Sequence, residues 1–142
     1  PYFVPREDGV QWLSQLRKRG VKLRVVTNSV ASTDVVAVHV GYSPYRDELL
    51  DAGVELYEMK PIGGKRPKQR LMGKEVPAQA SLHAKLFVVD RKDILIGSFN
   101  FDPRSLELNT EITLAIHSAA LASKIMPLVE EVTSPETSYQ VF

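Results

Sequence analysis

Cysteine is absent from the 142-residue chain, which removes disulfide frameworks, thiolate zinc sites and a cysteine nucleophile from consideration while leaving the cellular compartment open. No apolar run approaches the roughly 18 residues that a membrane-spanning helix needs. An excess of one charge is also missing. Lys and Arg number 18 against 17 Asp and Glu, a net charge of +1, so binding of nucleic acid through a global basic field is disfavoured and only a local patch stays open to that role. The start lacks a Met, a basic leader and an apolar leader core, opening instead Pro1-Tyr2-Phe3-Val4-Pro5; the expectation is a single domain, 1–142, excised from a longer protein. What is present, 44% hydrophobic and 25% charged residues, is the composition of one globular domain whose core needs no metal or disulfide staple.

Along the chain, residues 2–4 read as a short strand between prolines. Val10, Leu13 and Leu16, with Trp12 alongside, recur at helical spacing over 8–19, and Gly20 closes the pattern as a C-terminal cap. The apolar run 21–27 reads as a buried strand. A second helix, capped by Thr33 or Asp34 and divided or kinked by Pro44, extends to Ala52 and stops at Gly53, and 54–59 follows as a strand. Strand, helix and strand at this spacing predict a right-handed crossover and a parallel pair. Residues 60–80 carry six Pro or Gly among Lys65, Arg66, Lys68, Arg70 and Lys74, the pattern of a long, basic, mobile loop. It reads either as a solvated connector or as a patch for anionic lipid headgroups, each cation near such a surface contributing about 1 kcal/mol. Strands are expected over 82–89 and 94–98 around the polar turn 90–93, a short helix over 103–108, a strand over 110–116 and a closing amphipathic helix over 119–132. The predicted class is α/β, a mixed, largely parallel sheet with helices on both faces.

By the two-residue period of a strand, His83 and Lys85 point to one face and Asp90 to the other. An imidazole beside an ammonium suits an anionic group, one holding an oxygen while the other attacks or moves a proton. Asp90, by parity and turn position, reads as a structural acceptor. Gly97 allows a close backbone approach, while Ser98 and Asn100 offer a hydroxyl and an amide to phosphate oxygens. His39 and His117 stand in no comparable constellation and read as packing or surface residues.

These residues carry a resemblance. His83-Ala84-Lys85, Asp90 and Gly97-Ser98-Phe99-Asn100 have the spacing His-x-Lys-x-x-x-x-Asp, six residues, Gly-Ser-x-Asn, which resembles the signature of the phospholipase D superfamily. Asn109-Thr110-Glu111 follows where that family commonly has an acidic residue. Thr27-Asn28-Ser29, and the stretch from His39 through Arg46 to Gly53-Val54-Glu55-Leu56-Tyr57, resemble the C-terminal half of bacterial cardiolipin synthases. The resemblance implies phosphodiester transfer through a phosphohistidine without metal or other cofactor, at a site built from two copies of the signature. One copy is present here, so the other half-site is expected from a missing N-terminal half or a second copy of the chain. Carried over by residue, His83 is nucleophile or general acid, with the acid role assigned to it from two-copy relatives. Glu111 orients its other nitrogen, Lys85 and Asn100 bind non-bridging phosphate oxygens, and Ser98 hydrogen-bonds nearby.

The function expected from the flanks is phosphatidyl transfer to give cardiolipin from phospholipid substrates, at peripheral contact with the cytoplasmic face of a bacterial inner membrane. The alternatives are a homodimeric phosphodiesterase or nuclease of the same superfamily, against which the near-neutral charge weighs, and a non-catalytic phosphate-binding half.

Overall fold

The computed structural model describes residues 2–61 and 82–142, together with the backbone of two short strands between them. Helical spacing of apolar residues builds α1 (Arg6–Lys18), with Glu7 and Asp8 in its first turn and Arg17 and Lys18 in its last, as the helix dipole favours. Gly20 follows at φ +86°, a backbone region in which side chains other than glycine are strained. After β1 (Arg24–Asn28) comes a segment expected to be one helix. It is three pieces: α2 (Val36–Tyr42), a 3-10 turn Ser43–Tyr45 and α3 (Arg46–Asp51). Pro44 makes the division, because it lacks an N–H and its ring obstructs the preceding turn. Neither proposed cap serves as one: Thr33 Oγ1 accepts the Val35 N–H at 3.2 Å, a local turn that competes with helix capping, and Asp34 accepts the Tyr2 hydroxyl at 3.1 Å.

β2 (Glu55–Met59) pairs with β1 in parallel, Arg24 opposite Glu55 and Asn28 opposite Met59. Within the stretch expected to be a mobile loop, β3 (Lys68–Leu71) and β4 (Lys74–Pro77) form an antiparallel pair; beyond residues 60 and 61, the rest of that loop lies outside the described residues. β5 (Leu86–Val89), β6 (Asp93–Gly97) and β7 (Thr113–His117) make an antiparallel sheet in that order, with α4 (Pro103–Glu107) between β6 and β7. α5 (Ala119–Val132) packs its buried Ala122 on the β6 side, where Ile94 is buried. β8 (Ser138–Val141) then returns to pair antiparallel with β2.

The chain is thus a mixed α/β fold, but its sheets are not largely parallel. Among the described strands only β1 and β2 form a parallel ladder, with one further parallel bridge between Phe3 and Phe101. The reason is connection length: a parallel pair needs a crossover of a dozen or more residues, whereas β5 and β6 are joined by a tight turn. In that turn Asp90 and Arg91 both have positive φ, +51° and +52°, the sign pattern of the primed turns whose twist matches a hairpin.

The core lies between α1, α2, α3 and the β1–β2–β8 sheet, where Phe3, Val10, Leu13, Tyr42, Leu49, Val54 and Leu56 form one buried cluster. His39 joins it rather than the site: it is buried, edge-on to Tyr42 at 5.7 Å, and its Nε2 lies 2.8 Å from Arg46. Arg46 also pairs with Glu58 at 2.5 Å.

Gly97 fixes how closely β7 approaches the end of β6. A methyl group there would stand 2.0 Å from Ile112 O and 2.7 Å from Thr113 Cα, contacts with backbone that cannot swing aside. Gly97→Ala is therefore expected to destabilise the chain by about 3 kcal/mol, the upper part of the range for overpacking. Urea unfolding of the two proteins checks this, and equal midpoints would contradict the close approach.

Candidate functional site

Residues 82–85 precede the β5 ladder, because β6 stops at Gly97 and its last bond to this segment is the Gly97 N–H to Lys85 O at 3.3 Å. The anchor for the preceding residues comes from β1. Asn28 Oδ1 accepts the Leu82 N–H at 2.9 Å, and Asn28 Nδ2 donates to Leu82 O at 3.1 Å. One side-chain amide thereby satisfies both backbone groups of the residue before His83, as a neighbouring strand would. Asn28 is 4% exposed, and Ser32, whose hydroxyl donates to Met59 O at 2.9 Å, stands beside it.

His83 is exposed, and its Nε2 lies 3.2 Å from Lys85 Nζ, which also donates to His83 O at 3.3 Å. The two side chains expected on one face are adjacent there. Tyr2 stands against both: its ring is edge-on to His83 at 6.4 Å, and Lys85 Nζ lies 5.9 Å from the ring centre. The Tyr2 N–H donates to Asn100 Oδ1 at 3.4 Å, which leaves the Asn100 Nδ2 as that side chain's donor. Burial and the Asp34 carboxylate raise the Tyr2 phenol above its ordinary value, so it stays protonated and donating. Asn100 is held from the other side as well. Its N–H donates to Ser105 Oγ at 3.2 Å, and Ser105 is itself fixed by its N–H on Asp102, the N-cap of α4, at 2.9 Å.

Ser98 and Glu111 form a second group. The Ser98 hydroxyl donates to Glu111 Oε2 and accepts the Ile112 N–H at 3.0 Å, while Asn109 Nδ2 donates to Glu111 Oε1 at 3.2 Å. Ser98 foremost, then Ser105 and Asn109, hold the Glu111 carboxyl below the usual glutamate range, and Lys85 adds a smaller favourable field. A bond from Glu111 to His83 is not among those of the described residues; its two oxygens accept from Ser98 and Asn109. Asp90 sits in the exposed β5–β6 turn, and His117 pairs with Asp93 at the far end of the sheet. Among the described residues no group of three or more His, Cys, Asp or Glu could hold a metal, and no helix is long and apolar enough to cross a membrane.

The arrangement can bracket an anionic oxygen between an imidazole, an ammonium and an amide donor. Residues 1–132 match the family described as cardiolipin synthase, phospholipase D-like domain. The chain belongs to this family. The domain is 48% identical over 124 residues to cardiolipin synthase C of Escherichia coli, covering 87% of this chain and 26% of that protein. It is 30% identical over 131 residues to the minor cardiolipin synthase ClsB of Bacillus subtilis, covering 92% of this chain and 28% of that protein. The phospholipase D-like chain thus spans about a quarter of the length of these relatives. Among solved structures, the phospholipase D family member Nuc from Salmonella typhimurium shares the fold, with a TM-score of 0.62 at 20% identity over 99% of this chain and 78% of that one.

Two residues of the site were not picked out as site residues by the sequence pattern, Tyr2, which touches His83 and Lys85, and Ser105, which fixes Asn100, and Asn28, which fixes Leu82, was marked only within the resemblance of Thr27-Asn28-Ser29, with no role assigned to it. Ser105 had a local signal, following a helix cap and a proline at the spacing of an N-cap acceptor pair.

Two outcomes follow for this geometry. Asn28→Leu, which keeps size and removes both bonds to Leu82, should cost about 1–3 kcal/mol of stability through the unpaired backbone groups, and should speed hydrogen exchange at the Leu82 amide. Exchange at wild-type rate would remove Asn28 from this role. Glu111 should titrate below an ordinary glutamate in side-chain carbon NMR, and Ser98→Ala should bring it back up. The sign is fixed by the lowered value: the contribution to stability is present above the ordinary glutamate range and lost as pH falls through the lowered one.

Proposed function

We propose that the chain supplies one half of a phosphodiester-transfer site, and that the full enzyme passes a phosphatidyl group between phospholipids to form cardiolipin. The observation that carries this reading is the pairing of His83 Nε2 and Lys85 Nζ at 3.2 Å, beside an Asn100 amide held by Tyr2, in a domain matched to cardiolipin synthases. Displacement at phosphorus places the attacking and leaving groups in line on opposite sides. One histidine cannot serve both sides, so the second comes from the remainder of the longer protein or from another copy of the chain.

In the first step the histidine of the other half-site attacks phosphorus through a ring-nitrogen lone pair. A nitrogen–phosphorus bond forms, the phosphorus–oxygen bond to the leaving alcohol breaks, and that oxygen takes a proton from His83. In the second step His83, now the base, removes the proton of the acceptor hydroxyl as its oxygen attacks phosphorus and the nitrogen–phosphorus bond breaks. Lys85 and Asn100 stabilise the non-bridging oxygens throughout. Ser98 and Glu111 brace the loop that carries Asn100. Tyr2 keeps the imidazole and ammonium side by side. No cofactor enters this scheme. The basic stretch 60–80 and a peripheral membrane setting suit a lipid substrate.

The test is sedimentation of the purified chain alongside hydrolysis of a chromogenic phosphodiester and transfer between phosphatidylglycerol molecules. The monomer should not turn over, and His83→Ala in the assembled enzyme should lose at least about 10²–10⁴-fold in rate with its fold intact, the usual contribution of a positioned proton donor. Robust turnover by a proven monomer would overturn the half-site, and near-normal transfer by the variant would overturn the role of His83.

A further inference from the structure

A groove of about 270 Å³ opens between α1 and α4, lined chiefly by Pro5, Trp12, Phe99, Phe101, Pro103 and Leu106. Trp12 and Leu106 are 52% and 67% exposed, large apolar surface left facing solvent. The floor is rigid: Trp12 stacks on Phe101 at 6.2 Å, and Phe101 packs on the buried Phe3 at 5.4 Å. At its other end Phe99, between Ser98 and Asn100 in sequence, lies 6.4 Å from the Phe87 ring. Phe87 is 37% exposed and stands two residues after Lys85, on the same side of the strand by alternation. An apolar track therefore runs from Leu106 to the edge of the His83 and Lys85 pair.

Two properties narrow what can occupy it. Of the three charged groups at the rim, Arg6 pairs with Glu107 and Asp102 accepts the Ser105 N–H, each at 2.9 Å, and the third, Asp8, is an exposed carboxylate, so the groove offers an anionic headgroup no free cation. Its volume lies below the range of pockets for drug-sized molecules, and a partner helix, about 10–12 Å across, could not enter it. A single alkyl chain fits both conditions. We propose that this groove receives one acyl chain of a phospholipid whose phosphodiester lies against His83, Lys85 and Asn100. This rests on the phosphodiester reading above and adds the place of the chain.

Trp12 is the sole tryptophan of the chain, so its emission reports on the groove, while the His83 ring protons report on the phosphodiester by NMR. The probes are methyl alkyl phosphates from butyl to octyl, with dimethyl phosphate as the chainless control. Burying a methylene corresponds to about fourfold in affinity when complete, and in a half-open groove the rise is expected at about two- to fourfold per methylene, with Trp12 emission and His83 shifts changing together. Leu106→Ser should flatten the dependence on chain length and Leu106→Met should restore it; at two-thirds exposure, neither change disturbs the core. His83 shifts that respond to every diester without chain-length dependence would overturn the groove while leaving the phosphodiester site standing. Trp12 changes without His83 shifts would overturn the coupling of the two. Silence at both positions would overturn this inference together with the reading it rests on.

Discussion

The side chain of Asn28 is built like a peptide group, with a donor and an acceptor in one plane, and it meets the backbone of Leu82 with both. Two sheets that share no ladder, β1–β2–β8 and β5–β6–β7, are tied at this point through the segment that leads into β5, and the Val4 N–H, donating to Phe101 O at 2.8 Å, joins the residues before α1 to those after β6. The first tie decides where His83 stands, because residues 82–84 have no strand partner in β6 to hold them. A hydrogen bond of this kind adds only about 0.5–1.5 kcal/mol net, but the loss of one partner in a buried place costs more than its presence contributes. Asparagine at the C-terminal end of β1 is thus a structural condition for the placement of His83, one residue beyond its partner.

The remaining groups of the site are braced in the same indirect manner. A short helix with an aspartate cap fixes Ser105, Ser105 fixes the backbone of Asn100, and Tyr2 shares the Asn100 carbonyl while lying against His83 and Lys85. Ser98 turns its proton toward Glu111 and so joins the β6 end to the start of β7. Each functional side chain is therefore positioned by a residue outside the signature. Such outer contacts set the geometry on which orientation effects depend.

Local patterns were legible where one element decides its own fate. α5 begins at Ala119 and ends at Val132, as apolar periodicity indicates, and Pro44 announces the break between α2 and α3 through its missing N–H. The adjacency of His83 and Lys85 followed from strand parity. What escaped reading depended on distant partners. β8 is four residues long, too short for an alternating pattern to stand out, and it exists because β2 has an open edge. Tyr2 looked like part of a terminal strand, and its contacts with residues 83, 85 and 100 arise only from tertiary packing. Glu111 was assigned to His83 by resemblance, whereas its nearest donors are the close neighbours Ser98 and Asn109. The antiparallel majority of the ladders follows from connection lengths, which hydrophobic pattern alone does not weigh.

His83 and Ser98 are exposed and Glu111 is half-buried beside them. Water reaches such a face as readily as any alcohol does, and nothing in an imidazole or an ammonium distinguishes a water oxygen from a hydroxyl oxygen. On the proposed phosphodiester chemistry, the choice between hydrolysing a diester and exchanging its alcohol is then not written in the signature residues. It belongs to whatever surface covers them and excludes bulk solvent. A substitution on that cover, far from any phosphorus, could redirect the product from a new diester to a monoester while every signature residue stays in place.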